Sequence, residues 1–192
     1  MEADIIILSL KKHKLKTILC LLFLGFFSEV GAQKRTEDLS FLLGKWNVER
    51  IYYPETENPN IMNGTMECEL AGNNTFIKCE YEMEQFDRPN ATDIVYYNYN
   101  KIYQKYESLW LSSTWPIKVL LQGDLTTADN GTLLNTTASF LIENGITEYV
   151  MDKLLLTKDD PKVFIRKTYV RTSVDENEKF TYHMLEKTRR VD

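Results

Sequence analysis

Past Gly44, apolar residues recur at every second position, in short runs separated by turn chemistry. A period of two places alternate side chains on opposite faces of an extended chain, so these runs read as half-buried strands and not as helices. The pattern predicts strands near 45–53, 63–70, 75–85, 92–98, 104–112, 117–125, 132–141, 146–156, 163–173 and 180–189. Between them lie clusters such as Ala71-Gly72-Asn73-Asn74, Asp129-Asn130-Gly131 and Lys158-Asp159-Asp160-Pro161. Asn-Gly and Asn-Asn tolerate the positive φ that tight hairpins require. No interval is long enough for a crossover helix, so the sheet is antiparallel with local connections. About ten such strands must split into two layers or close on themselves, and closure removes the exposed edges. The expected fold is therefore all-β, a closed antiparallel barrel, with a two-sheet sandwich as the alternative.

A short capping helix is expected before the barrel. Thr36 suits its N-cap, Glu37 and Asp38 suit the positive end of its dipole, and Gly44 suits the position just past its end. Phe41, Leu42 and Leu43 would cover something apolar.

The chain begins with Lys11, Lys12, Lys14 and Lys16 ahead of an almost wholly apolar run, Leu15 to Phe27. This is the order of a secretory signal peptide, too short for a membrane span of roughly 20 residues. Val30-Gly31-Ala32 supplies the small residues of a cleavage site, which divides the chain into a signal peptide at 1–32 and a single domain at 33–192. An uncleaved N-terminal anchor is the alternative. The remaining 160 residues carry 19 basic and 25 acidic groups. A net charge of −6 disfavours nucleic acid and anionic membranes as partners. The expectation is a secreted or periplasmic monomer with no stable membrane insertion after cleavage.

The segment Met66–Met83 specifies its own register. With Asn73-Asn74 as the turn, Cys68 falls opposite Cys79, and Met66, Cys68, Leu70, Ile77, Cys79, Tyr81 and Met83 share one face. Glu67, Glu69, Lys78, Glu80, Glu82 and Glu84 share the other, and a slip of one residue would invert both. In an oxidising compartment the two cysteines form a cross-strand disulfide or remain buried thiols. A metal site here is not expected, because the mature chain holds one histidine.

Phe41-Leu-Leu-Gly-Lys-Trp46, a Gly-x-Trp where the capping segment enters the first strand, resembles the calycin group of lipocalins and fatty-acid-binding proteins. The resemblance implies that Gly44 and Trp46 close one end of the barrel and that an arginine of the last strand, Arg189 or Arg190, stacks over the indole. A closer resemblance covers nearly all of 39–190. It rests on Phe41–Trp46, Asn63–Glu67, Leu70–Gly72, the aromatic turn Tyr96–Tyr106 running into Leu109-Trp110, Leu121–Gly123, and Arg189-Arg190. These stretches are similar to a family of secreted, mostly bacterial lipocalin-like proteins of unknown function, which implies a fold but no activity.

Tyrosines offer an apolar wall with a hydrogen-bonding tip, suited to amphipathic ligands in a barrel mouth. Tyr52, Tyr81, Tyr96, Tyr106, Tyr149, Tyr169 and Tyr182 fall in strands, and Trp110 and Trp115 flank the turn at Ser112–Pro116. Arg50 shares parity with Trp46, Val48 and Tyr52, making it either an anchor for a ligand carboxylate or half of an internal ion pair with a glutamate. These residues are the candidate lining of a site for a small apolar or amphipathic molecule. The same aromatics could instead simply fill a packed barrel that serves as an interaction or structural module. No nucleophile-and-base constellation is visible, so no enzyme and no cofactor are expected. The other carboxylates alternate along strands or sit in turns, as on a wet outer face. Another branch of barrel-shaped relatives binds haem through a histidine near the C-terminus, and that resemblance singles out His183. The chain keeps Tyr53-Pro54 but lacks the glycine-rich first strand of those relatives. If Phe180, Tyr182 and Met184 face inward, His183 points out.

Overall fold

The computed structural model describes residues 36–85, 89–114, 118–142, 146–172 and 178–191. The signal peptide expected at 1–32 and Trp115 lie outside the described residues. The described residues form ten strands: β1 (Gly44–Tyr52), β2 (Asn60–Ala71), β3 (Phe76–Met83), β4 (Ala91–Asn100), β5 (Lys105–Ser112), β6 (Val119–Ala128), β7 (Gly131–Leu141), β8 (Thr147–Thr157), β9 (Val163–Arg171) and β10 (Thr181–Arg190). Every strand pairs antiparallel with its sequence neighbours, and β1 pairs with β10, so the sheet is a closed barrel. That ladder runs from Trp46 opposite Arg190 to Tyr52 opposite Met184. Closure leaves no free edge, which is the physical advantage over a two-layer sandwich.

The β2–β3 hairpin has the register that its alternation requires. Gly72, Asn73 and Asn74 all take positive φ in the turn, and Cys68 pairs with Cys79. The two cysteines form a disulfide across a Cα separation of 4.0 Å. This is the short spacing of a non-hydrogen-bonded antiparallel pair. Met66, Ile77, Tyr81 and Met83 are buried on the same face, whereas Leu70, at the end of β2 beside the turn, is largely exposed.

The N-terminal expectation needs correction. In place of a capping helix, the described chain makes a 3-10 turn at Ser40–Leu42. Its bonds span three residues, with Leu42 N donating to Leu39 O and Leu43 N to Ser40 O. Gly44 then takes φ +114°, and β1 begins at once. A tight turn suffices because Leu39 and Leu42 both reach full burial over the barrel end.

That end is sealed around Trp46. Its indole is fully buried, donates from Nε1 to Leu42 O at 2.8 Å, and meets the Phe164 ring edge-on at 5.0 Å. The Arg190 guanidinium lies 4.6 Å over the indole and donates from Nη2 to Phe41 O and Leu43 O. Arg189 points to solvent and pairs with Asp160 at 3.2 Å. Of the two arginines that the sequence left open, Arg190 is the one stacked. Val48, Leu134, Leu154 and Phe164 belong to the same apolar cluster.

Candidate ligand-binding site

Inward positions change character along each strand. On β1, Trp46 and Val48 are apolar, the next inward residue is Arg50, and Tyr52 follows at the far end. On β10 the inward set is Thr188, Glu186 and Met184; on β9, Phe164, Arg166, Thr168; on β8, Leu154, Asp152, Val150. Because the strands are in register, Arg50 lies beside Glu186 and Glu186 beside Arg166. A charged layer therefore crosses the middle of the barrel, above the apolar plug at the Trp46 end.

This layer is closely paired. Arg50 places Nε and Nη2 each 2.9 Å from Glu186 Oε2, and Nη1 2.8 Å from Asp93 Oδ2. Arg166 donates from Nε to Asp152 Oδ2 at 2.7 Å and from Nη2 to Tyr97 Oη at 3.3 Å, with Nη1 3.9 Å from Glu186 Oε1. Thr168 donates to the other Asp152 oxygen at 2.8 Å, and Tyr81 to Glu186 Oε1 at 3.3 Å. All five charged side chains are nearly inaccessible to solvent. Burial alone would lower both arginine pKa values, but the adjoining carboxylates outweigh it and hold them above their ordinary range. Burial pushes Tyr81 and Tyr97 upward, so both phenols stay protonated. Trp110 lies within the group, with Arg166 4.1 Å over its ring and Tyr81 stacked at 5.7 Å.

Above the charged layer the barrel is hollow. A cavity of about 490 Å³ opens at the end away from Trp46. Its floor includes Arg50, Asp93, Asp152 and Arg166; its walls are apolar, with Val119, Leu121, Phe140, Val150 and Val170. Tyr52, Tyr53, Glu148 and His183 complete the lining.

A bulge brings His183 to this cavity. Tyr182 pairs with Tyr169 and Met184 with Thr168, leaving His183 as an extra residue in β10. The extra residue resets the alternation, as bulges do. Tyr182 consequently stacks on Tyr169 at 5.1 Å on the outer wall, while His183 and Met184 both line the cavity. The expectation of inward Tyr182 and outward His183 is thus reversed. The His183 ring meets Tyr52 and Tyr53 edge-on at 5.8 and 5.0 Å, and burial lowers its pKa.

Of the residues expected to line a site, Arg50, Tyr52 and Trp110 do face the cavity. Tyr81 lies behind Trp110, in the charged layer. The others are elsewhere. Tyr96 is on the outer face of β4, edge-on to Phe76 at 6.5 Å. Tyr149 and Tyr169 alternate with the cavity-lining Val150, Thr168 and Val170, so they face outward, under Arg171 and Lys153 respectively. Tyr106 is buried toward the closed end, where its hydroxyl donates to Asp38 at 2.8 Å. Reading the tyrosines as one set ignored their parity.

Sequence reasoning also missed Asp93, Asp152, Arg166 and Glu186, taking such carboxylates for outer-face residues. A signal was present. Asp93 shares parity with Ala91 and Val95, and Asp152 with Val150 and Leu154, so each acid stands in an apolar half-strand.

The family model described as "Protein of unknown function (DUF1579)" matches residues 32–185. The chain belongs to the DUF1579 family. Among curated proteins nothing matches it. The crystal structure of Rv2717c from M. tuberculosis is similar in fold to this DUF1579 protein, with a TM-score of 0.55 at 12% identity over 81% of this chain and 96% of the other. At that identity the likeness speaks for the barrel alone.

Proposed function

We propose that this DUF1579 protein is a non-catalytic binder of a small amphipathic molecule, built as a calycin-type barrel and acting outside the cytoplasm as a monomer. The observation that carries the reading is the cavity: about 490 Å³, open at one end, with apolar walls over a charged floor. Such a volume matches small-molecule sites, and the division between walls and floor matches a ligand with an apolar body and a polar head. A packed interior, as an interaction module would have, leaves no space of this size. The lysine-led apolar segment and the Cys68–Cys79 disulfide support export to an oxidising compartment.

Haem gains one point from the bulge that turns His183 to the cavity, yet the lining does not fit it. The His183 ring is packed edge-on between two tyrosines, and the floor presents ion-paired side chains where a porphyrin face needs apolar surface. Native mass spectrometry of protein purified without detergent tests the proposal. A co-purified species of a few hundred daltons, released on unfolding, is the expected result. Protein that carries nothing and takes up no member of an amphiphile panel would overturn it, and a Soret band would replace it with the haem reading.

A further inference from the structure

We propose that the cavity selects amphiphiles with a cationic head, of which an alkylammonium is the simplest. The inference rests on the carrier reading and names its ligand class. Two inward arginines would ordinarily suggest an anionic head, but here both guanidiniums are already ion-paired with carboxylates. Arg50 donates from Nε to Glu186 and from Nη1 to Asp93, and Arg166 from Nε to Asp152 and from Nη2 to Tyr97; Arg50 Nη2 and Arg166 Nη1 make no hydrogen bond among the described residues but lie 2.9 and 3.9 Å from Glu186. One nitrogen of each guanidinium is left, already beside a carboxylate, and not the pair of free nitrogens that bidentate capture of a carboxylate or sulfate uses.

The charge balance of the floor runs the other way. Asp93, Asp152 and Glu186 face two arginines, an excess of one negative charge among side chains almost wholly withdrawn from water. A buried excess charge is costly unless something pairs with it. Asp93 is the group placed to receive that partner. It lines the cavity at 5% exposure and gives only Oδ2 to Arg50; its Oδ1 accepts no hydrogen bond among the described residues. Higher in the cavity Glu148 also lines the wall and makes no ion pair among the described residues. Tyr52 and Tyr53 also line the cavity, and aromatic rings attract an ammonium through their faces but offer a carboxylate no such contact. An anion entering here would add to the existing excess, whereas a cation would neutralise it, and the walls of Val119, Leu121 and Val150 would take its tail.

The experiment compares three ligands of one tail, decyltrimethylammonium, decanoate and decanol, by isothermal titration calorimetry below their aggregation concentrations. The ammonium is expected to bind at least about tenfold more tightly than decanoate. Asp93→Asn should remove most of that preference and leave decanol affinity unchanged. Because Asp93 also pairs with Arg50, circular dichroism must show the variant folded; Glu148→Gln, nearer the mouth, should lower ammonium affinity by a smaller factor and serves where D93N does not fold. Decanoate binding as tightly as the ammonium, or ammonium binding untouched by both substitutions, overturns the head-group assignment and leaves the carrier reading standing. Failure of all three to bind overturns the carrier reading as well.

Discussion

His183 shows how much one residue can shift. Without the bulge, strict alternation along β10 would send it outward and Tyr182 inward; with it, the imidazole reaches the cavity beside Tyr52 and Tyr53. Burial lowers its pKa in the fold below the value of about 6.5 in an unfolded chain. The unfolded state therefore takes up the proton first as pH falls. The contribution of this group to stability is complete above about pH 6.5, diminishes as pH drops toward the folded-state pKa, and changes no further below that. His183→Gln should consequently lose less stability than the wild type when acidified from neutrality, as read from urea midpoints at a series of pH values. Parallel profiles for the two proteins would show that the imidazole is not desolvated. Asp93 and Asp152 teach a related lesson: each was visible as an acid in an apolar half-strand, but neither strand said which arginine it would meet, Arg50 from β1 for Asp93 and Arg166 from the adjoining β9 for Asp152.

Among the elements, the strands were the most legible, because a period of two is a local property that burial of one face reinforces. The β2–β3 hairpin was readable to the residue: its apolar face, its Asn-Asn turn and the Cys68–Cys79 pairing all follow from alternation. The 3-10 turn was not. Capping residues mark where a helix can start, but whether one or two turns form depends on how near the barrel end lies, and Gly44 hands the chain to β1 immediately. The disulfide joins residues 11 apart, and a loop of that length contributes about 3 kcal/mol by restricting the unfolded chain. Replacing Cys68 and Cys79 together with serine should lower the free energy of unfolding by about 2–3 kcal/mol. The circular dichroism spectrum should be unchanged, since the hairpin register comes from its buried face. Loss of the β spectrum would mean that the covalent link, not the alternation, sets the pairing.

In the whole molecule, the two ends of the barrel carry different tasks. The Trp46 end is plugged by the indole, Phe164, Leu39 and Leu42, with Arg190 over the top. The opposite end is the cavity, and the charged layer separates them. Trp46→Ala should therefore cost about 3–5 kcal/mol of stability, the range for large buried aromatics. It should leave ligand affinity in the folded fraction unchanged, measured by chemical denaturation and by calorimetry on one preparation. A parallel loss of affinity would show the ends to be coupled through the charged layer. By itself the sequence determined the strand count and the β2–β3 register, since both depend on patterns repeated every second residue, while the resemblance to calycins pointed to Trp46 as the closing residue and to one of two adjacent arginines as its partner. Only the tertiary structure decided that Arg190 is the one stacked, that His183 turns inward, and that five charged side chains from five strands meet at mid-barrel. Those depend on which strands become neighbours across closure and on a single bulge, and pairings over 43 to 136 residues leave no local trace.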